Sequence, residues 1–304
     1  MAKGTHEYAD DPRNASILVS INGALIPRDQ ATVLVFDSGF VLGDGVWEGL
    51  RLHGGRLMFL EDHLKRLYEG TKALDLDIGR TPGELTGDIQ RCVDANDMVD
   101  GVHVRLMVTR GVKTTPYQNP RVTAGPATIV IIPEHKEPSK ENAERGIRLF
   151  TVHVRRGAPD VQDPRLNSHS KLNCILACIQ ATKAGADEAL MLDPHGFVAT
   201  CNSTNFFIVR DGEVWTSSSR YCMPGITRAN VLRLCAENGI EAREGDFSLS
   251  QVYGANEAFV TGTFAGIVPV VDVDGRTIGD GARGPVTLRL QWLYDELLAA
   301  EGRR

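Results

Sequence analysis

Long apolar runs are missing from this chain of 304 residues, and none approaches the ~18 residues that a membrane-spanning helix needs. Residues 1–13 are polar and of mixed charge, without the apolar centre of a secretion signal, so we expect residues 1–14 to form a flexible arm of a cytoplasmic protein. A basic excess is also lacking, because the net charge is −6. We therefore expect neither a membrane nor a nucleic-acid partner.

The six cysteines lack the regular spacing of a disulfide framework. Only Cys174 and Cys178 lie close together, four residues apart in a helical pattern, and no neighbouring His or Cys completes a tetrahedral metal site. We expect reduced thiols, buried helix packing for this pair, and no bound metal.

The composition is that of an ordinary globular protein, with 42% hydrophobic and 24% charged residues, and the chain contains no internal repeat. Residues 134–146 are charged and almost free of large apolar side chains, which marks a break between strand-and-helix patterns on either side. We predict an α+β fold with a small α+β domain over residues 15–135, a connection over 136–165 and a large domain over 166–304.

A lone lysine, Lys171, stands where a Ser-, His- and Asn-rich loop meets a predicted helix. The helix is indicated by Leu172, Ile175, Leu176 and Ile179, which recur at i, i+3, i+4 and i+7. A partly desolvated lysine at such a place has a lowered pKa and can attack an aldehyde. Taken alone, the pattern is more typical of a surface lysine in a first helical turn.

Three features are suited to bind a phosphate. In MPGITRAN, the N–H groups of Gly225, Ile226 and Thr227 precede or open a predicted helix, which is an anion site or an ordinary N-cap. In VTGTFAG, a strand ends in small residues around Thr263, which is an anion site or a plain turn. Arg66 on a predicted helix can grip a phosphate with two donors, although most such arginines are solvated or ion-paired.

The blocks DGVWEGLR, EDHLKRL, the lysine, MPGITR and FVTGTFAG follow one another in this order over most of the chain. The sequence thereby resembles the fold type IV aminotransferases that depend on pyridoxal 5'-phosphate (PLP), of the branched-chain and D-amino-acid types. The resemblance implies a two-domain α+β fold with the cofactor in the large domain, a homodimer, and transamination between an amino acid and a 2-oxo acid. A branched-chain L-amino acid is the best guess for the donor.

The resemblance also implies a role for individual residues. Lys171 is similar to the catalytic lysine that holds PLP as a Schiff base and moves the proton. The other residues similar to cofactor-binding positions are Arg66, Thr200, Asn205, Gly225, Ile226, Thr227 and Thr263.

Substrate binding is implied for a second set of residues. Arg105 matches an arginine near the substrate carboxylate in the branched-chain type, and Arg110 matches the carboxylate-binding arginine of the D-amino-acid type. Leu42 and Trp47 resemble the wall of the side-chain pocket. Phe264 and Ala265 resemble the turn whose N–H groups meet the substrate carboxylate.

The chain departs from the family pattern in two respects. Thr200 stands where the family usually places a glutamate against the pyridine nitrogen, and only an acid keeps that nitrogen protonated. Lys171 precedes Thr200 by 29 positions (200 − 171), about one helical turn fewer than the resemblance leads us to expect.

Several alternatives therefore stay open. Glu48–Arg51 favours the branched-chain type, whereas the Thr-Arg-Gly block favours a D-amino-acid transaminase. An (R)-amine transaminase or an aminodeoxychorismate lyase-like enzyme would share the fold and the lysine. From another class, the missing acid favours a protein that binds PLP without transaminase activity.

Overall fold

The computed structural model describes residues 4–303 of the chain. Contacts divide it into two compact units. The N-terminal unit comprises Ala9–Glu137, Leu166–Ser170 and the residues from Glu301 onward. The C-terminal unit comprises Pro138–Arg165, Lys171–Ala300 and the described residues up to Tyr8.

The connection predicted over residues 136–165 is not a linker. Pro138–Arg165 lies inside the C-terminal unit. The physical reason is the strand Ile147–Thr151, which pairs with one neighbour through its first half and another through its second half. Residues Leu166–Ser170, expected in the large domain, belong to the N-terminal unit because they pair with one of its strands.

The described part of residues 1–14, for which a flexible arm is predicted, makes defined contacts. Residues 4–8 are part of the C-terminal unit. Pro12–Ser16 forms a 3-10 helix, and the side chain of Asp11 accepts a hydrogen bond from the backbone of Arg13 at its start. Specific side-chain contacts, rather than an apolar pattern, order this segment.

The N-terminal unit contains one antiparallel sheet of six strands in the order β2-β1-β6-β5-β3-β4. Its elements are β1 Leu18–Ile21, β2 Ala24–Pro27, α1 Ser38–Leu42, β3 Gly45–His53, β4 Arg56–Leu57, α2 Leu60–Ala73, α3 Pro82–Asp94, β5 Val102–Thr109 and β6 Thr128–His135.

The core of this unit lies between the sheet and helices α2 and α3. The alternate residues Val102, Val104, Leu106 and Val108 of β5 supply its apolar core contacts, as the two-residue period of a strand predicts. Helix α2 contributes Leu64 and Leu67, and α3 contributes Leu85 and Ile89. A capping box at Thr81 fixes the start of α3.

The C-terminal unit contains a mixed sheet of nine strands, in the order β12-β11-β10-β13-β14-β7-β8-β9 with β15 paired to β14. Its elements are α4 Lys140–Arg145, β7 Ile147–Thr151, α5 Pro159–Gln162, α6 Leu172–Lys183, β8 Glu188–Leu192, β9 Val198–Cys201, β10 Asn205–Arg210, β11 Glu213–Thr216, α7 Ile226–Glu237, β12 Ala242–Glu244, α8 Leu249–Tyr253, β13 Glu257–Gly262, β14 Gly266–Val273, β15 Arg276–Thr277 and α9 Pro285–Arg303.

Helix α6 confirms the predicted element but not its predicted packing. Its small residues Ala177 and Ala181 face β8, and they let the helix approach the sheet closely. The apolar stripe that indicated the helix is instead exposed, and it comprises Leu172, Ile175, Leu176 and Ile179. Cys174 and Cys178 are only half-buried, so the expectation of buried packing for this pair is wrong.

No helix within residues 4–303 has the length and the apolar character needed to cross a bilayer. The same residues contain no group of three or more His, Cys, Asp or Glu side chains arranged to hold a metal ion.

Candidate active site

The start of α7 forms a cradle in the C-terminal unit. Gly225 is the N-cap of α7, and no side chain caps the helix N-terminus. A Cβ atom at Gly225 would lie 2.2 Å from Oδ1 of Asn205, so only glycine fits beside that amide. Asn205 in turn donates a hydrogen bond to the carbonyl of Met223 at 3.0 Å. Uncapped N–H groups and the helix dipole make this a suitable place for a phosphate.

The helix start is buttressed from α9. Thr227, in the first turn of α7, is buried, and its hydroxyl lies 3.5 Å from the hydroxyl of Tyr294. Tyr294 also packs beside Gly266, the residue that opens β14. The predicted residues Gly225, Ile226 and Thr227 thus form a single structural feature with Asn205.

A tight hairpin turn connects β13 to β14 and carries three predicted residues. Gly262 pairs with Gly266 across the hairpin, which leaves Thr263, Phe264 and Ala265 as the turn. Gly266 has φ +67°, a conformation that disfavours other residues. Thr261, just before the turn, pairs with Asn205 of the cradle, so the sheet register links the two features. The buried hydroxyl of Thr261 has no hydrogen-bond partner among the described residues.

Thr200 in β9 is buried, and its hydroxyl donates to the carbonyl of Thr204 at 2.8 Å. That orientation leaves the hydroxyl oxygen as an acceptor, but one without a negative charge. The hydroxyl of Thr204 donates to Glu188 at 2.8 Å. The buried carboxylate of Glu188 is therefore connected to Thr200 through Thr204, whereas position 200 itself carries no carboxylate. Burial and the negative charge of Glu188 raise the pKa of the neighbouring Cys201 thiol well above its usual range.

Lys171 is the N-cap residue of α6 and is half-buried. The residues before it are fixed to β3 of the N-terminal unit. The backbone carbonyl of Asn167 accepts a hydrogen bond from the backbone N–H of Trp47 at 2.9 Å, and the Asn167 side chain donates to the Trp47 carbonyl at 2.6 Å. The indole of Trp47 donates to the carbonyl of Ser168 at 3.2 Å. Sequence patterns predicted a loop here and contained no indication of this pairing.

In the N-terminal unit, Arg66 belongs to a buried charge cluster that the sequence analysis missed. Its Nε and Nη2 atoms donate to the two carboxylate oxygens of Glu48 at 2.8 and 2.7 Å. His63 lies 2.7 Å from the same carboxylate. Burial alone would raise the pKa of Glu48, but hydrogen bonds from Arg66 and His63 outweigh burial and lower it. The i, i+3 spacing of His63 and Arg66 was the available signal.

The two candidate carboxylate-binding arginines, Arg105 and Arg110, differ in the contacts that their guanidinium groups make. Arg110 makes four hydrogen bonds, two to Asp44 and one each to the carbonyls of Leu74 and Asp75. Arg105 lies over the indole of Trp47, with its guanidinium carbon 3.8 Å from the ring centroid. Burial lowers the pKa of Arg105.

These contacts favour Arg105 as a residue that can bind a ligand, because the Arg110 guanidinium already holds the local fold together. Leu42, at the end of α1, is exposed. The N-terminal unit thus groups Arg105 with Trp47 and keeps Arg66 with Glu48, whereas Leu42 and Arg110 take no part in these two pairs.

We predict that Glu48→Gln lowers the free energy of unfolding by about 3–5 kcal/mol near neutral pH, because a buried ion pair loses one charged partner. The folded-state pKa of Glu48 is lowered, so its stabilising effect is complete above the usual carboxyl range and disappears as the pH falls through the lowered value. Urea unfolding near neutral pH and in acid measures both effects. The difference in the free energy of unfolding between the wild type and Glu48→Gln should be smaller in acid than near neutral pH.

Glu69→Gln on the exposed face of α2 is the matched control and should change stability by less than about 0.5 kcal/mol. Equal effects of the two substitutions near neutral pH would show that the Glu48 cluster contributes nothing specific.

The chain is similar to known proteins over most of its length. A model of the amino-transferase class IV family matches residues 45–273. A branched-chain-amino-acid aminotransferase-like protein of Arabidopsis thaliana is 41% identical over 291 residues, which are 96% of this chain and 52% of that protein. The chain therefore spans about half the length of that relative. A D-alanine aminotransferase of Bacillus licheniformis is 32% identical over 93% of this chain and 98% of its own.

A solved structure, the T.th. branched-chain amino acid aminotransferase with pyridoxamine 5'-phosphate, superposes with a TM-score of 0.88 at 32% identity. The match covers 94% of this chain and 95% of that one. The family match, the identities and the superposition lead to one conclusion: this chain is a member of the class IV aminotransferases, with the two-domain fold type IV architecture that its sequence resembles.

Proposed function

We propose that this chain binds PLP and catalyses transamination between a branched-chain L-amino acid and a 2-oxo acid. The observation that carries the proposal is the uncapped start of α7, where Gly225 approaches Asn205 too closely for any side chain. This cradle fits a phosphate ester, and the unpartnered buried hydroxyl of Thr261 lies in the strand that pairs with it. The family membership of the chain points to PLP as the phosphate ester.

Each group of residues has one task in the proposal. The N–H groups at Gly225, Ile226 and Thr227 hold the phosphate, and the hydroxyl of Thr263 adds a further hydrogen bond. PLP supplies an electron-withdrawing ring that stabilises negative charge at the substrate α-carbon. Our best candidate for the covalent anchor and for the base that moves the α-proton is the amine of Lys171.

Substrate recognition is assigned to a separate set. The N–H groups of the turn at Phe264 and Ala265 donate hydrogen bonds to the carboxylate oxygens, and Arg105 supplies a positive charge. Trp47 and Leu42 offer apolar surface for a branched side chain. Because Arg110 is committed to Asp44, the D-amino-acid arrangement has less support than the branched-chain one.

A D-amino-acid transaminase is the alternative of the same class, with an (R)-amine transaminase and an aminodeoxychorismate lyase-like enzyme as further ones. Comparing L-leucine, D-alanine and an (R)-amine as donors distinguishes them. We expect L-leucine to be the best donor, and faster transfer from D-alanine would overturn the substrate assignment.

A protein that binds PLP without transaminase activity is a second candidate, favoured by two observations. Thr200, which the resemblance places at the cofactor nitrogen, carries no negative charge, and its hydroxyl donates to the carbonyl of Thr204. Asn167 lies four positions before Lys171, which is about where the resemblance leads us to expect the lysine. Its buried amide cannot form a covalent bond to an aldehyde as an amine does. Under this alternative the protein binds PLP at the α7 cradle, but no donor is turned over.

We further propose a homodimer located in the cytoplasm. The exposed apolar stripe of α6 is more apolar than a solvated helix face requires, and a second copy of the chain would cover it. All six cysteines are free, as expected in a reducing compartment.

Lys171→Ala should abolish the covalent link between PLP and the protein, because no other amine of α6 lies near its start. Borohydride reduction followed by peptide mass spectrometry measures the link directly. The matched control is Lys183→Ala at the exposed end of the same helix, which should keep the label. A pyridoxyl label that persists in Lys171→Ala, or that never forms in the wild type, removes Lys171 from this role.

Thr200→Glu should increase the rate of α-proton transfer by roughly tenfold, about 1.4 kcal/mol, because a carboxylate keeps the cofactor nitrogen protonated. The absorption spectrum of the bound cofactor should shift at the same time. Thr200→Gln supplies the same length without charge and should do neither. If the glutamate and glutamine variants behave alike, Thr200 does not face the nitrogen.

Ile175→Lys should convert the dimer into a monomer, since it places a charge in the centre of the α6 stripe. Size-exclusion chromatography with light scattering reads the mass. Lys183→Ala, beyond the stripe, serves again as the control. A wild-type protein that is monomeric at high concentration contradicts the dimer proposal.

A further inference from the structure

Residues 4–8 are held on the C-terminal unit by specific contacts. The carbonyl of Gly4 accepts a hydrogen bond from the side chain of Asn142 at 3.2 Å. The backbone N–H of Thr5 donates to Glu188 at 3.3 Å, and its hydroxyl donates to the same carboxylate oxygen. Thr5 is only 3% exposed. A segment with these three tethers has a defined position rather than a disordered one.

The next residue, His6, packs on the turn that we assign to the substrate carboxylate. Its imidazole stacks on the ring of Phe264, with centroids 5.8 Å apart and an angle of 25° between the planes. The Nδ1 atom of His6 also lies 3.2 Å from the hydroxyl of Thr5. Phe264 is buried, so the imidazole forms part of the wall that encloses this side chain.

Glu188 connects the same segment to Thr200. One carboxylate oxygen of Glu188 accepts hydrogen bonds from Thr5, and the other accepts a hydrogen bond from the hydroxyl of Thr204. The carbonyl of Thr204 accepts the hydroxyl of Thr200. Thr5 thus contacts Glu188, which is connected to Thr200 through Thr204, and His6 contacts Phe264 of the turn. All of these residues belong to the C-terminal unit.

We propose that His6 is a positioning residue, which braces Phe264 and thereby fixes the N–H groups of the turn that receive the substrate carboxylate. This inference rests on the proposed function, because that function assigns the turn its ligand. The physical reason is that a short turn takes its orientation from its one large buried side chain, and a stacked partner restricts that side chain. Without His6, the turn gains mobility and loses more entropy on binding the carboxylate.

The experiment uses the full-length holoenzyme and four proteins: wild type, His6→Ala, His6→Phe and His153→Ala. His6→Phe retains a ring that can stack, and His153 is an exposed histidine of the same unit. The probe is 4-methylvalerate, an unreactive monocarboxylate, and its Kd is measured by calorimetry. Hydrogen–deuterium exchange of residues 261–267 reports the turn directly, without turnover. Steady-state kinetics with L-leucine then separate KM from kcat.

We expect a three- to tenfold weaker Kd and a similar rise in KM for His6→Ala, roughly the effect of losing one aromatic contact, with kcat almost unchanged. Exchange at the turn should become faster. His6→Phe should recover most of the binding and protection, and His153→Ala should match the wild type. Unchanged exchange at the turn in His6→Ala overturns the inference.

The two proposals fail in different ways. If no protein turns over a donor, but the turn of His6→Ala exchanges faster than that of the wild type, the proposed function fails while the bracing of Phe264 by His6 stands. If all proteins turn over L-leucine with the same KM and the same exchange, the role of His6 is overturned alone. Should His6→Ala fail to fold, Thr5→Val releases the same segment from Glu188, and unaltered exchange at the turn in that variant also refutes the inference.

Discussion

The N–H groups at the start of α7 have no side-chain cap, so they require a partner from outside the helix. The close approach of Asn205 to Gly225 keeps this end open, since any larger residue at 225 would push the amide away. Asn205 also sets the register with Thr261, and the hairpin turn follows two residues later. One sheet register therefore fixes both the phosphate cradle and the turn that we propose for the substrate carboxylate.

Three buried carboxylates stabilise the surroundings of the candidate residues, and each is fully engaged. Glu48 holds Arg66 and His63, and Glu188 holds Thr5 and Thr204. Glu257 accepts hydrogen bonds from the backbone at the start of α9. A buried charge is tolerated only when it is paired or hydrogen-bonded, so these clusters specify one arrangement of their elements. None of the three stands at position 200, where the resemblance leads us to expect an acid, and this makes Thr200 the main departure of the chain from the family pattern.

Local patterns predicted what local physics determines. The start of α7 at Gly225, the hairpin turn around Phe264 and the extent of α6 follow from turn residues and helical spacing. The exposed side of α6 did not follow, because periodicity identifies a stripe but not what covers it. The docking of residues 4–8 depends on one carboxylate, Glu188, about 180 residues away, and the Arg66 contact depends on Glu48 in another element. The partner residue in each pair cannot be identified from a single sequence, although the i, i+3 spacing of His63 and Arg66 indicates one side of the second cluster.

The pairing of Leu166–Ser170 with β3 has a consequence for synthesis of the protein. The backbone groups of Gly45 and Trp47 find their partners in residues made more than a hundred positions later. On the ribosome, this edge of β3 therefore has unpaired polar groups until after the last strand of its own sheet has emerged. The N-terminal unit is therefore still incomplete when its last strand has been translated, and a genetic cut after Glu137 would remove these partners permanently.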